Sequence, residues 1–479
     1  MGVVHVVLVV PGATGHAIPF MYLATKLASF GVKVTMLVYE KFESMFQTSI
    51  MYKQHRKAIQ EMDIQMVGVD DGIYDGTPGT FPESVKESSE LKLVDAFTGA
   101  MSRLMSSTSP PCCILSDMLV GWTQILAAKF NIPRHILHIQ STLDLSVMLH
   151  VPTLLAEGRL PFTEKSRNEL VKIPGMEVPL HPSELPSDLH PEFLNIIDFS
   201  YEFFLRMSRR AIEAPIVLVN TRSGSLKREF WPPLTTFTPV TLSEQIMPKV
   251  IPVGPLHPSA DLIQRDWDEI SEEPTIQFLS KQPPSSVIYI AFGTGGTLSR
   301  EQAEELALGL EASEQPFLWV GGPNRLNPLA ENLDKILPQG FENRVKDRGM
   351  VVSTWVPQPS ILRHPSTGAF LSHTGWTSTL EGMAAGLPIL AWPQRFEQYL
   401  NSRYLVDVAK VAAEFRKGSD GLVTRDEVER VVRRVMKQDE GRALQSNAHA
   451  MKEAAHKRAA SPHELQTFLS LMTQAGLPH

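Results

Sequence analysis

Residues 355–398 read WVPQPSILRHPSTGAFLSHTGWTSTLEGMAAGLPILAWPQRFEQ. The run from Gly368 to Ser372 is short and apolar, as in a buried strand, and His373-Thr374-Gly375 turns the chain. Residues 376–385 then carry helical spacing, with Leu380, Met383 and Ala384 on one side. Gly386 and Pro388 stop that helix, and Ile389 opens the next strand. His373, Thr377 and Ser378 therefore fall at a strand-to-helix turn. There, unpaired backbone N–H groups and the helix dipole favour an anion, and a diphosphate is the natural guest. Trp355 offers a flat face for a base. Glu381, one turn along the helix, can accept hydrogen bonds from ribose hydroxyls, and Glu397 and Gln398 can bond sugar hydroxyls.

The same strand, glycine turn and helix open each half of the chain. The first is His5 to Val10, then PGATGH at 11–16, then a helical pattern to about Phe30, which Gly31 ends before a second strand. The second is Val287 to Ala291, then FGTGGT at 292–297, with Ser299 and Gln302 spaced as a capping box. Strands that are apolar on both faces and alternate with helices indicate parallel sheets covered on both sides. Residues 1–250 are expected to form one Rossmann-like domain and residues 285–460 a second. The polar, acidic, proline-rich stretch within 251–284 reads as a linker, and residues 461–479 as a last helix bearing Leu465, Phe468, Leu469 and Met472 on one face.

The bulk numbers narrow the function. At 479 residues two domains are the default, and 43% hydrophobic with 20% charged residues is a globular composition. A formal net charge of −7 with no large basic block argues against a nucleic-acid partner. The only cysteines, Cys112 and Cys113, are adjacent and give no disulfide framework, which suits a reducing compartment. The apolar run Val6 to Val10 lacks a preceding basic region and is far shorter than the ~20 residues of a membrane span. No membrane anchor and a cytoplasmic location are expected.

The ordered set Trp-x-Pro-Gln, Ile-Leu-x-His, Gly-x-Phe, His-x-Gly-Trp, Glu, Gly-x-Pro and Glu-Gln closely resembles the signature box of the plant UDP-sugar-dependent glycosyltransferases. That resemblance implies an α/β chain of the GT-B architecture, with two Rossmann-like domains facing each other across a cleft and the last helix crossing back to the N-terminal domain. It implies Trp355, Val356, Gln358, His373, Trp376, Thr377, Ser378, Glu381, Glu397 and Gln398 as donor-binding residues. Thr294 resembles the family's phosphate-contacting hydroxyl, and Ser141 aligns loosely with a residue that touches the sugar. UDP-glucose is then the donor substrate, Gln398 accompanying glucose in the family, and a small hydrophobic acceptor the other partner. No separate cofactor and no metal are implied, and a monomer is expected. The chain departs from the family at Thr377, where Asn is usual, and at Thr374, where Cys is usual.

A sugar transferase must also deprotonate its acceptor. His16 lies between the first strand and first helix, the ligand end of a doubly wound sheet, and Gly15-His16 before a proline matches the family's catalytic base. Histidine, with a pKa near ~6.5, can take a proton at cellular pH, but the imidazolium needs support. Asp117 ends a short apolar strand, where an acid is costly unless paired. It can support His16, as the resemblance implies, or cap the segment that follows. The lead expectation is an inverting glucosyltransferase acting on a phenolic or phenylpropanoid hydroxyl. A non-catalytic sugar-nucleotide or small-molecule binding protein is the alternative. A dinucleotide-dependent oxidoreductase is a third reading, suggested by Gly12 and Gly15, although the full Gly-x-Gly-x-x-Gly fingerprint is missing.

Overall fold

The computed structural model describes residues 3–47, 61–62, 64–73, 87–163, 166, 168–173, 179–190, 201–221, 248–256, 270–293, 296, 298–321, 333–459 and 463–475. Internal contacts divide the chain into two compact units, Met1–His257 with Ser461–His479, and Pro258–Ala460.

The first unit is built on seven parallel strands: β1 (His5–Val9), β2 (Lys33–Tyr39), β3 (Gln65–Val69), β4 (Cys113–Asp117), β5 (Arg134–His138), β6 (Ile216–Val219) and β7 (Lys249–Pro252). Their order is β3-β2-β1-β4-β5-β6-β7. Every residue of β1 and β4 is buried, so both faces of these strands need cover, which the intervening helices supply. The helix Thr14–Ser29 buries Phe20, Leu23 and Leu27 against Val6 to Val10. The helix His463–Ala475 belongs to the same unit, with Leu465, Phe468 and Met472 in its core.

The second unit has six parallel strands: β8 (Val287–Ala291), β9 (Phe317–Val320), β10 (Gly349–Val352), β11 (Thr367–Ser372), β12 (Ile389–Ala391) and β13 (Ala412–Glu414). Their order is β10-β9-β8-β11-β12-β13. The strand period of two splits its core. Ile288 and Ile290 join the helices Arg300–Ser313 and Arg425–Lys437 on one face, while Val287 and Tyr289 join Ile276, Leu279, Ile361 and Phe370 on the other.

Two local readings need correction. Residues 251–284, expected to be linker, contain structured pieces. Ile251 and Pro252 finish β7, Leu256 is buried in the first core, and the helix Pro274–Ser280 buries Ile276 and Leu279 in the second. Apolar residues spaced three apart outweighed the polar composition around them. The box at Ser299 is only half formed. Ser299 accepts from the Gln302 N–H at 3.1 Å, but the Gln302 amide turns to the Val423 backbone, giving 2.8 Å and accepting at 2.9 Å.

Candidate active site

Both sheets reverse strand order at one place, between β1 and β4 in the first and between β8 and β11 in the second. Connections leave such a pair in opposite directions and open a crevice at the carboxyl ends of the strands. Seven of the fourteen residues expected from the sequence lie at these two points: His16 and Asp117 at the first, and His373, Trp376, Thr377, Ser378 and Glu381 at the second.

In the first unit, β1 ends at Val9 and the chain enters the Thr14–Ser29 helix, placing His16 in its first turn. Asp117 is the last residue of β4, whose Ser116 is in register with Val9. Separated by 101 residues of sequence, the two side chains meet with His16 Nδ1 2.8 Å from Asp117 Oδ2. Asp117 is 3% exposed and His16 is 18% exposed, so the carboxylate is inside and the imidazole reaches the surface of the crevice. Asp117 Oδ1 accepts from the Leu119 N–H at 2.8 Å. One Asp117 oxygen thus pairs with His16 and the other closes a turn at Leu119, while the N-cap of the following helix, Thr123–Lys129, is Trp122.

Behind Asp117 stands Arg134, which the sequence reading missed. Its guanidinium is buried, with Nε donating to Ser116 Oγ at 2.9 Å and Thr123 Oγ1 at 2.8 Å, and Nη2 to the Asp117 carbonyl at 3.2 Å. Burial and the Arg210 charge lower its pKa to about 9, with Asp117 and Glu213 pulling the other way, so it stays charged at neutral pH. Ser141, expected near a sugar, is the N-cap of the helix Thr142–Ala156, accepting from the Asp144 N–H at 3.3 Å, and is buried; its own O–H remains a donor. A serine before a helical run is a capping signal in its own right.

In the second unit, His373-Thr374-Gly375 connects β11 to the helix Trp376–Ala385, whose N-cap residue, Gly375, has no side chain to cap it. The His373 ring lies between two glycines. A Cβ on Gly293 would come within 2.6 Å of its Nε2, and one on Gly375 within 2.5 Å. Gly293 also has φ +71°. Burial lowers the His373 pKa to about 4, helped by the Arg395 charge and opposed by the Ala291 carbonyl, so the ring is neutral at pH 7. Thr374 has φ +62°, an uncommon conformation for a β-branched residue. Its hydroxyl lies 2.8 Å from the Gln398 carbonyl and 2.6 Å from that of His373. The residue thus ties this turn to the 397–398 loop.

Trp355 is 36% exposed. Val356 and Trp376 are buried. Gln358 heads the short helix Gln358–Arg363, and its Nε2 donates to Glu381 Oε2 at 2.7 Å and to Ser378 Oγ at 3.3 Å. Its Oε1 accepts from the Tyr289 hydroxyl at 3.0 Å. Burial raises the Glu381 pKa to about 7, although the Gln358 bond and the Arg363 charge oppose it. Thr377 and Ser378 are half-buried in the first helical turn. Glu397 Oε1 accepts from the Trp376 N–H at 3.4 Å and Asn401 Nδ2 at 3.3 Å. Gln398 Oε1 is occupied by the N–H groups of Gln394 and Arg395, at 2.9 and 3.0 Å. Its amide nitrogen is what remains to meet a ligand. Thr294 lies outside the described residues.

Two further observations bear on partners. Among the described residues no helix is long and apolar enough to cross a membrane. None of them form a cluster of three or more His, Cys, Asp or Glu able to hold a metal ion.

Comparison with known proteins fits this geometry. Residues 5–469 match the family model described as UDP-glucoronosyl and UDP-glucosyl transferase. The chain is similar to UDP-glycosyltransferase 72B1 of Arabidopsis thaliana, 35% identical across 72% of this chain and 70% of that protein. It is also similar to scopoletin glucosyltransferase of Nicotiana tabacum, 28% identical across 95% and 94%. Among solved structures, Phytolacca americana UGT2 with UDP-2fluoro-glucose and pterostilbene matches at TM-score 0.77 and 27% identity, covering 99% of both chains. A UDP-glucosyltransferase from Polygonum tinctorium matches at TM-score 0.80 and 25% identity, again covering 99% of both. The two parallel sheets are those of the GT-B fold. The chain belongs to the UDP-glucosyl transferase family, as a plant-type hexosyltransferase that moves sugar from a UDP donor to a small acceptor.

Proposed function

We propose that the enzyme is an inverting O-glucosyltransferase that uses UDP-glucose and acts on a phenolic hydroxyl. The observation that carries this reading is the 2.8 Å pairing of His16 with the buried Asp117 at the β1/β4 crevice. With Nδ1–H held by the carboxylate, Nε2 carries the lone pair and takes the acceptor proton. The acceptor oxygen attacks the anomeric carbon of the α-linked sugar, the bond to the diphosphate oxygen breaks, and UDP leaves with that electron pair. A β-glucoside and an imidazolium facing Asp117 result.

On this reading the second unit holds the donor. Trp355 stacks on uracil, and Gln358 and Glu381 meet the ribose. His373, Thr377, Ser378 and the helix N-terminus face the diphosphate, with Thr294 assigned there from its sequence position. Glu397 and the Gln398 amide nitrogen meet the sugar hydroxyls. The phenolic acceptor is supported by relatives associated with scopoletin and pterostilbene, both of which carry a phenol hydroxyl.

The test is a panel of phenols incubated with purified enzyme and either UDP-glucose or UDP-galactose. A β-linked product with higher kcat/KM for UDP-glucose is expected. An α-linked product would overturn the inverting mechanism, and a clear preference for UDP-galactose would overturn the donor assignment.

A further inference from the structure

The amide of Gln358 has two possible orientations, and its neighbours select one. On one side is Glu381 Oε2 at 2.7 Å, which accepts hydrogen bonds when ionised; on the other is the Tyr289 hydroxyl at 3.0 Å. Tyr289 is 1% exposed and stacks on Phe370 with centroids 5.2 Å apart, so its ring has no room to swing away. Burial, with the Glu381 charge nearby, pushes the Tyr289 phenol well above its ordinary pKa, so it remains a hydroxyl and donates to Oε1.

We infer that Tyr289 is a positioning residue for nucleotide recognition: its hydroxyl locks the Gln358 amide so that Nε2 faces Glu381, which keeps that carboxylate ionised and aimed at the ribose diol. The proposal rests on the reading of the second unit as the uridine-nucleotide site. Without the hydroxyl, the amide is free to turn its oxygen toward Glu381, replacing a charge-stabilising donor with a repulsive acceptor. Burial already raises the carboxyl to about 7, so this loss falls where a modest shift changes its ionisation at cellular pH.

Few other charges compete. Arg363, on the adjacent Gln358–Arg363 helix, favours the ionised form. The helix Trp376–Ala385 carries Glu381 as its only acid or base, and β11 carries none. On the packed helix Asp439–Ala459, Lys452 lies against Gly386, at the far end of the Glu381 helix. His373 stays neutral above pH 5, its pKa being about 4.

The experiment titrates UDP and 2′-deoxy-UDP into wild type, Tyr289→Phe, Gln358→Met and Glu381→Gln by calorimetry from pH 6 to 9. Both nucleotides share the titrating phosphate, so the ratio of their affinities isolates the diol contact. In wild type the preference for UDP should be full at pH 9 and fall as pH drops through about 7. Tyr289→Phe should move that fall upward by up to about one pH unit, the worth of the neutral hydrogen bond that holds the amide. UDP binding at pH 7 should then weaken up to about tenfold, with little change at pH 9. Gln358→Met should shift the fall in the same direction, giving the worth of the amide itself, and Tyr289→Leu takes the place of Tyr289→Phe if that variant does not fold. If Glu381→Gln abolishes the preference while Tyr289→Phe leaves the profile unmoved, the positioning role is wrong and the ribose assignment stands. Equal weakening of both nucleotides at every pH would reduce Tyr289 to packing. If Glu381→Gln leaves the preference intact, the ribose assignment itself fails and the inference with it.

Discussion

Asp117→Asn is the sharpest perturbation of the first crevice, because it removes a charge without removing bulk. The surroundings dictate what the new amide does. The Leu119 N–H points at Oδ1 from 2.8 Å and needs an acceptor, so the asparagine oxygen takes that place. Its NH2 group is then presented to His16 Nδ1, 2.8 Å from the atom it replaces. Nδ1 must accept, the ring proton moves to Nε2, and the nitrogen meant to take the acceptor proton already carries one. Losing a hydrogen bond to a charged group is worth about 1.5–3 kcal/mol, or roughly 10- to 150-fold. Locking the wrong tautomer adds to this, and general-base catalysis as a whole is worth about 10²–10⁴-fold. We therefore expect kcat to fall by about 10²–10⁴-fold. UDP affinity, measured by calorimetry, should stay within about twofold, since the proposed nucleotide residues belong to the other unit. Turnover within tenfold of wild type, in a variant that melts normally, would refute the dyad and leave Asp117 as the cap of the Leu119 turn.

Three further outcomes are expected. Gly293→Ala should weaken UDP binding by about tenfold or more, because its methyl would sit 2.6 Å from His373 Nε2 at a backbone φ of +71°; unchanged affinity would show that the His373 position does not matter. Thr377→Asn should alter UDP affinity only a few-fold, since Ser378, His373 and the helix N-terminus serve the same diphosphate in the proposed site; a large gain in both affinity and turnover would contradict this. His135 is buried with neither ring nitrogen hydrogen-bonded, and its pKa is lowered to about 4 by burial and Arg134. Below its ordinary value of 6.5 the unfolded chain takes up a proton that the folded chain refuses, so stability falls with pH, by about 2 kcal/mol between pH 7 and 5. His135→Leu should flatten the melting temperature over that interval, and an equally steep loss in the variant would place the acid sensitivity elsewhere.

The architecture was legible because its strands are buried on both faces and announce themselves as apolar runs, and because each pivotal loop follows such a run. His16, Asp117 and His373 could be placed at or just beyond strand ends from those runs, and Glu381 one turn along the helix that follows. What escaped was the partner of each polar atom. Ser141 Oγ and Gln398 Oε1 each accept from nearby backbone N–H groups, local bonds that residue type alone does not reveal. Arg134 and Tyr289 were missed because they sit inside strands, where the pattern reads simply as core. A charged or hydroxyl side chain in a strand buried at every position was the available signal, since such a group must find partners.

Thr374 bears on how donor specificity can be altered. Its hydroxyl bridges the turn that opens the Trp376–Ala385 helix and the Gln398 carbonyl, while its backbone is held in a conformation that threonine rarely adopts. Asn401 reinforces the link from the other side, donating to the Thr374 carbonyl at 3.0 Å. If Glu397 and Gln398 do meet the hexose, these bonds act as a spacer between the point where the sugar is gauged and the point where the phosphates are anchored. A hexose of different shape could not be accommodated by the 397–398 loop yielding alone, because the misfit would be transmitted to the leaving group. Broadening the donor range would then call for loosening Thr374 and Asn401 before remodelling Gln398, and the order in which the changes are made would matter.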